Sequence, residues 1–239
     1  MTTTTSTSPR SSSDGPLTDA TPDALVAERL AALRRRIADA GGTDVEVLAV
    51  TKTFSLDHVR AAQRAGIRAI GENYAQEVVA KLGGVGDLDI AVHFIGQLQT
   101  NKVRQLAGLI DVVETVDRPS LVDELAKRMP GVRVLVQVDT TGEPGKGGCP
   151  VGDVDGLVER ARQRGLDVAG LMTVGPTEGG PAAAAPGFRT VRSMVDRLGL
   201  RVCSMGMSAD LDVAVAEGAT EVRIGSALFG VRSAAGPVG

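Results

Sequence analysis

The chain has 239 residues, enough for one large α/β domain with a sizeable core. A net charge of −3 without a basic stripe excludes a dedicated nucleic-acid binder, which needs a surplus of Lys and Arg against phosphate. Four Phe, one Tyr and no Trp leave Val, Leu, Ile and Ala to fill the core, and two distant cysteines with two histidines argue against a disulfide framework or a metal site.

The first 20 residues are rich in Thr and Ser, lack the apolar stretch of a secretory signal, and are expected to be a disordered tail. Residues 21–232 are expected to form one folded domain, and 233–239 a short flexible C-terminus. Thr21-Pro22-Asp23 reads as a cap with Pro at the first helical position. Leu25, Leu30, Leu33 and Ile37 then recur at helical spacing until Gly41-Gly42. The Arg34-Arg35-Arg36 run within this helix is expected to be a solvated face.

Apolar β-branched runs alternate with helical patterns from there on. Strands are predicted over Val45–Lys52, Ala69–Asn73, Ile90–Gly96, Val112–Asp117, Val132–Asp139, Gly170–Gly175, Arg201–Ser208 and Glu221–Phe229. Helices are predicted near 57–65, 75–82, 99–107, 119–129, 152–165, 187–198 and 209–217. Eight strands with intervening helices point to an α/β fold of the TIM type, a single (β/α)8 barrel with an extra N-terminal helix. An open doubly wound sheet would place a Gly-rich fingerprint after the first strand, where this chain reads Thr51-Lys52-Thr53-Phe54-Ser55. No apolar run approaches the ~18 residues of a membrane span, and a cytoplasmic protein without membrane contact is expected.

Polar residues gather at the carboxyl ends of these strands, the face on which barrels build sites: Lys52, Glu72-Asn73, Gly96-Gln97, Asp117, Asp139, Gly175 and Ser208. A lysine at the end of an apolar strand sits where desolvation favours a neutral amine, the form that condenses with an aldehyde. The alternative is a surface lysine that marks the strand's end. Ser208 is expected to cap the helix after the seventh strand, while Gly225 and Ser226 follow the eighth. Barrels commonly hold phosphate on those two loops, although capping and turn chemistry also use Ser and Gly. Strand alternation puts Arg223 on the face of Gly225, where an interior guanidinium needs a barrel carboxylate or a ring nitrogen as partner. Asn73 could hydrogen-bond a ligand substituent, and Tyr74 is the one phenol in the chain, read here as a packing residue at a helix start. His93 is expected to be a satisfied core histidine, and Gly142–Gly148, with Lys146 inside it, a flexible loop able to touch a phosphate or act as a lid.

Six segments in order resemble the pyridoxal phosphate homeostasis proteins of the YggS/PROSC type: Leu48–Thr53 (LAVTKT), Gly71–Glu77 (GENYAQE), His93–Lys102 (HFIGQLQTNK), Gly170–Thr173 (GLMT), Ser204–Ser208 (SMGMS) and Val222–Gly230 (VRIGSALFG). The resemblance implies a barrel similar to the N-terminal domain of alanine racemase, with pyridoxal 5′-phosphate (PLP) as cofactor. By position, Lys52 is similar to the Schiff-base lysine of the internal aldimine. Ser208, Gly225 and Ser226 resemble the phosphate cradle, Arg223 the residue at the pyridine nitrogen, and Asn73 and Met207 cofactor-lining residues. The implied function is storage, buffering or delivery of PLP, with apo-PLP enzymes as partners and no robust turnover. The long Thr/Ser tail and the Pro176–Pro186 segment depart from the family's usual pattern.

The alternative within the same chemistry is a PLP-dependent amino-acid racemase. Racemisation needs a base on each face of the α-carbon, and beyond Lys52 this chain offers Tyr74 alone. An unrelated phosphate-sugar barrel using Lys52 as in aldolases would leave the six segments unexplained. A self-contained barrel is expected to be a monomer.

Overall fold

The computed structural model describes residues 22–83 and 88–230. The expectations for the N-terminal tail and for residues 233–239 fall outside them. The described chain alternates as anticipated: α1 (Pro22–Asp39), β1 (Glu46–Val50), α2 (Leu56–Arg64), β2 (Ala69–Glu72), α3 (Ala75–Leu82), β3 (Ala91–Phe94), α4 (Val103–Leu106), β4 (Val112–Val116) and α5 (Pro119–Arg128). Then follow β5 (Arg133–Asp139), β6 (Cys149–Pro150), α6 (Val154–Gln163), β7 (Asp167–Thr173), α7 (Ala185–Arg197), β8 (Val202–Ser204), α8 (Leu211–Ala216), β9 (Glu221–Ile224) and α9 (Ser226–Phe229).

Every strand pairing is parallel. The strand order β4-β3-β2-β1-β9-β8-β7-β5 is closed by pairing of β4 with β5, which makes an eight-stranded barrel. The ninth strand, β6, is a two-residue addition that was not anticipated; it pairs with the end of β5 through Val138↔Cys149.

Parallel strands covered by helices need apolar side chains on their outer face, and the main core lies there. Ala49, Ile70, Phe94, Val113, Val134, Val136, Leu171, Cys203, Val222 and Ile224 meet the buried faces of the helices. Gly170 allows β7 and β8 to touch, since a Cβ there would lie 2.0 Å from the Val202 carbonyl oxygen. Helix α1 packs in the outer ring with Val26, Leu30, Leu33 and Ile37 buried. It adjoins α2, α8 and α9, and so fills the place next to the last strand that the single-turn α9 is too short to cover.

Some boundaries differ from the sequence reading. The last strand stops at Ile224 instead of running to Phe229; after Gly225 the chain turns into α9, with the Leu228 and Phe229 amides bonded to the Gly225 carbonyl. A short apolar run cannot by itself distinguish a strand from a buried helical turn. Ser208 is not a helix cap, because α8 opens at Leu211 with Asp210 in the cap position. The Asp210 carboxylate reaches back to accept the Met207 amide at 2.6 Å, folding residues 207–210 into a turn. Of the arginine run, Arg34 and Arg35 are exposed, but Arg36 is half-buried and bonds across to α8.

Candidate cofactor site

Strand β1 delivers the first element of the site. Thr51 is fully buried and its amide still bonds to Gly71, so the chain leaves the barrel rim at Lys52. The Phe54 amide bonds the Thr51 carbonyl at 2.9 Å, making a tight turn with Lys52 and Thr53 at its centre. Thr53 has φ of +64°, an uncommon left-handed conformation for a β-branched residue. Lys52 is half-buried, and among the described residues its ammonium has neither a hydrogen bond nor an ion pair.

Lys52 opens onto a cavity of about 630 Å³ lined by Val50, Phe54, Met207, Ser208, Arg223, Gly225 and Ser226, among others. The turn after β8 supplies Met207 and Ser208, and the β9–α9 junction supplies Gly225 and Ser226. A hydrogen bond ties the two segments together, from the Arg223 amide to the Gly206 carbonyl at 3.0 Å. Gly206 has φ of +92°, and a Cβ there would lie 2.4 Å from the Ala214 Cβ, so the turn requires glycine. The pocket therefore combines one free amine, two hydroxyls beside a helix start whose first amides lack intrahelical partners, one guanidinium and apolar walls. A small phosphorylated aromatic aldehyde fits this set of groups.

Arg223 is 4% exposed and reaches inward from β9, on the interior face expected from alternation. It donates to Ser204 Oγ at 2.8 Å and to the Thr173 carbonyl at 2.7 Å. Ser204 Oγ in turn donates to Glu114 Oε2 at 2.7 Å, and Glu114 Oε1 lies 2.6 Å from His93 Nδ1. Side chains from four strands thus form one polar chain through the barrel's interior, anchored on the carbonyl of a fifth. Burial alone would lower the His93 pKa, but the hydrogen bond and charge of Glu114 outweigh it and hold the imidazole above its ordinary value. Burial likewise opposes ionisation of Glu114, yet His93 and then Arg223 hold that carboxyl below its usual range. Burial and the Glu114 charge push Glu221 up to about 8. His93 is the satisfied core histidine that was anticipated. Its neighbours Glu114, Ser204 and Glu221 were not, although each sits at an inward position of its strand.

Not every expected residue joins the cavity. Asn73 and Tyr74 line a separate hollow of about 270 Å³ with Phe94, Gln97, Gln99 and Lys102. Tyr74 is 58% exposed, so it is not the packing residue expected at the start of α3. Lys146 is bound to its neighbours, donating to the Gly175 carbonyl at 2.6 Å and pairing with Glu143 at 3.0 Å. Glu143 also accepts the Thr177 hydroxyl and amide, which hold its carboxyl down at about 2 and tie the 142–148 loop to the segment after β7.

Residues 24–233 match the family described as "Alanine racemase, N-terminal domain". The pyridoxal phosphate homeostasis protein of Pseudomonas aeruginosa is 40% identical over 225 residues, covering 89% of this chain and 98% of the relative. The chain belongs to the pyridoxal phosphate homeostasis protein family. The family member from Aquifex aeolicus is 38% identical and covers 86% of the chain and 97% of its own length. In three dimensions the barrel is similar to PipY of Synechococcus elongatus PCC7942 solved with PLP bound, at 31% identity and a TM-score of 0.75, covering 85% of this chain and 99% of that one. Among the described residues, no helix of this family member is long and apolar enough to cross a membrane.

Proposed function

We propose that this cytoplasmic protein holds PLP covalently on Lys52, as an internal aldimine, and serves cofactor homeostasis by storing, buffering or delivering it to apo-PLP enzymes. One observation carries the reading: an unpaired lysine shares a single cavity with Ser208, Gly225, Ser226 and Arg223. Bound here, the cofactor would supply an aldehyde carbon, and Lys52 would supply the amine that condenses with it, releasing water. Ser208 and Ser226, with the backbone around Gly225, hold the phosphate. Met207 and Val50, which line the same cavity, would offer apolar walls to the ring. Arg223, which lines the same cavity, would face the ring nitrogen, and a permanent cation there would oppose protonation of that nitrogen and weaken the ring as an electron sink.

Absence of sustained turnover follows from the same inventory. Among the described residues lining the cavity there is no Asp, Glu, His or Tyr to act as a second base opposite Lys52. Tyr74, the phenol a racemase would need, lines the other hollow.

The near-visible spectrum tests this. The protein is expected to be yellow, to lose its band in Lys52→Ala, and to carry the cofactor irreversibly on Lys52 after borohydride reduction. A protein that stays colourless after incubation with PLP overturns the proposal, and sustained racemisation of free amino acids overturns the non-catalytic part.

A further inference from the structure

The turn that presents Lys52 is held from outside the cavity by an ionic cluster at the β2–α3 junction. Lys81, on α3, is buried to 7% side-chain exposure. Its ammonium has three N–H groups and three acceptors: the Thr51 carbonyl at 2.7 Å, Glu72 Oε1 at 2.7 Å and Glu77 Oε1 at 3.1 Å. Glu72 Oε1 also accepts the Thr51 hydroxyl, and Glu77 Oε1 accepts the Thr53 amide.

These contacts fall on both sides of one residue. The Thr51 carbonyl belongs to the peptide unit before Lys52, and the Thr53 amide to the unit after it. Fixing both planes fixes the two backbone dihedrals of Lys52, and with them the direction in which its side chain leaves the rim. Thr53 supplies an independent sign of constraint. A β-branched residue at φ of +64° is costly, and such conformations persist only where the surroundings over-determine them. Burying Glu72 at 0% exposure with Oε2 unpartnered is a second cost at the same junction. Glu72 and Glu77 belong to the Gly71–Glu77 segment, which otherwise contributes nothing to the Lys52 cavity.

We infer that Glu77 and Lys81 are positioning residues that aim the Lys52 amine at the cofactor's aldehyde carbon. The inference rests on the proposed PLP site and adds to it a division of labour. The turns after β8 and β9 hold the phosphate, and the clamp governs bond formation alone.

That division gives a test with an internal control. The ligand 4′-deoxypyridoxine 5′-phosphate keeps the ring and phosphate but carries a methyl group where PLP has its aldehyde. Glu77 is on the outer side of the cluster, 21% exposed, so Glu77→Ala removes the acceptor at modest structural cost. Glu77→Ala is expected to weaken PLP binding by about tenfold, the scale of one charge-assisted hydrogen bond, and to slow growth of the Lys52-dependent absorbance band. Binding of the deoxy analogue should stay within about twofold. Glu77→Gln keeps an oxygen acceptor for the Thr53 amide and should restore most of the PLP affinity. Equal losses for the two ligands, or no loss for either, overturn the clamp. A wild-type protein that binds the two alike with no Lys52-dependent band overturns instead the PLP reading on which the clamp rests.

Discussion

Glu221 places its carboxyl inside the barrel, 3.8 Å from His93 Nδ1, with its other oxygen buried and unpartnered. Burial, and then the charge of Glu114, raise its pKa to about 8. The folded protein therefore binds a proton there that the unfolded chain releases near the ordinary carboxylate value. Between about 4.5 and 8 the native state is the more protonated one, so this group's contribution to stability falls as pH rises through that window. His93, also raised, acts with the same sign. Glu114 is lowered, and its contribution is lost on the acid side instead. Glu221→Gln keeps the shape and cannot ionise. Its unfolding free energy from denaturant titration should change less between pH 6 and pH 9 than that of the wild type, by on the order of 1 kcal/mol per pH unit at most. Parallel pH profiles for the two proteins would show that Glu221 does not hold its proton in the fold. Arg223 lies at the other end of the polar chain that His93 begins, and its charge also acts on Glu221, so a residue that does not line the cavity is electrostatically coupled to one that does.

At the scale of elements, the turns after β8 and β9 build the cavity, and the first of them depends on a glycine. Gly206 combines φ of +92° with a van der Waals conflict against Ala214, and its carbonyl accepts the Arg223 amide. Gly206→Ala should cost on the order of 2–4 kcal/mol, from left-handed strain together with overpacking. Thermal denaturation measures this, and an unchanged midpoint would mean that the turn relaxes freely. The same turns show what could be read from the sequence. The carboxyl ends of the strands were legible because Lys52, Ser208 and Gly225 each end or follow an apolar run and a parallel barrel sends all such ends to one face, while Arg223 was legible from alternation within its strand. The cap assigned to Ser208 was misplaced because Asp210, two residues on, competes for it, and sequence does not show which one the backbone selects. Lys81 was invisible for a different reason. On its own helix it looks like a solvated lysine one turn after Glu77, and its other partners, Thr51 and Glu72, come from two other elements. The polar chain from His93 to Arg223 was hidden likewise, since its members are joined only by barrel closure.

At the scale of the whole molecule, α1 is both the last stave of the helical ring and a brace on the cavity. Arg29 donates to the Leu228 carbonyl on α9 at 3.2 Å. Arg36 forms a two-pronged pair with Asp212 and also donates to the Ser208 carbonyl at 3.0 Å. The helix thereby holds both segments proposed to cradle phosphate, and the geometry of that cradle depends on an element preceding the barrel. The Arg36–Asp212 pair is substantially exposed, so its removal should hardly move global stability. Its hydrogen bond to Ser208, in contrast, acts directly on the turn that carries the hydroxyl. Arg36→Ala is therefore expected to weaken binding of both PLP and its deoxy analogue by about threefold to tenfold, the scale of a single hydrogen bond. The melting temperature should stay within about 2 °C. This pattern is the reverse of the one expected for Glu77→Ala, which distinguishes aldehyde from analogue. If Arg36→Ala affected PLP alone, α1 would belong with the clamp on Lys52. If it lowered the melting temperature and left both affinities intact, α1 would be a stave of the barrel and nothing more.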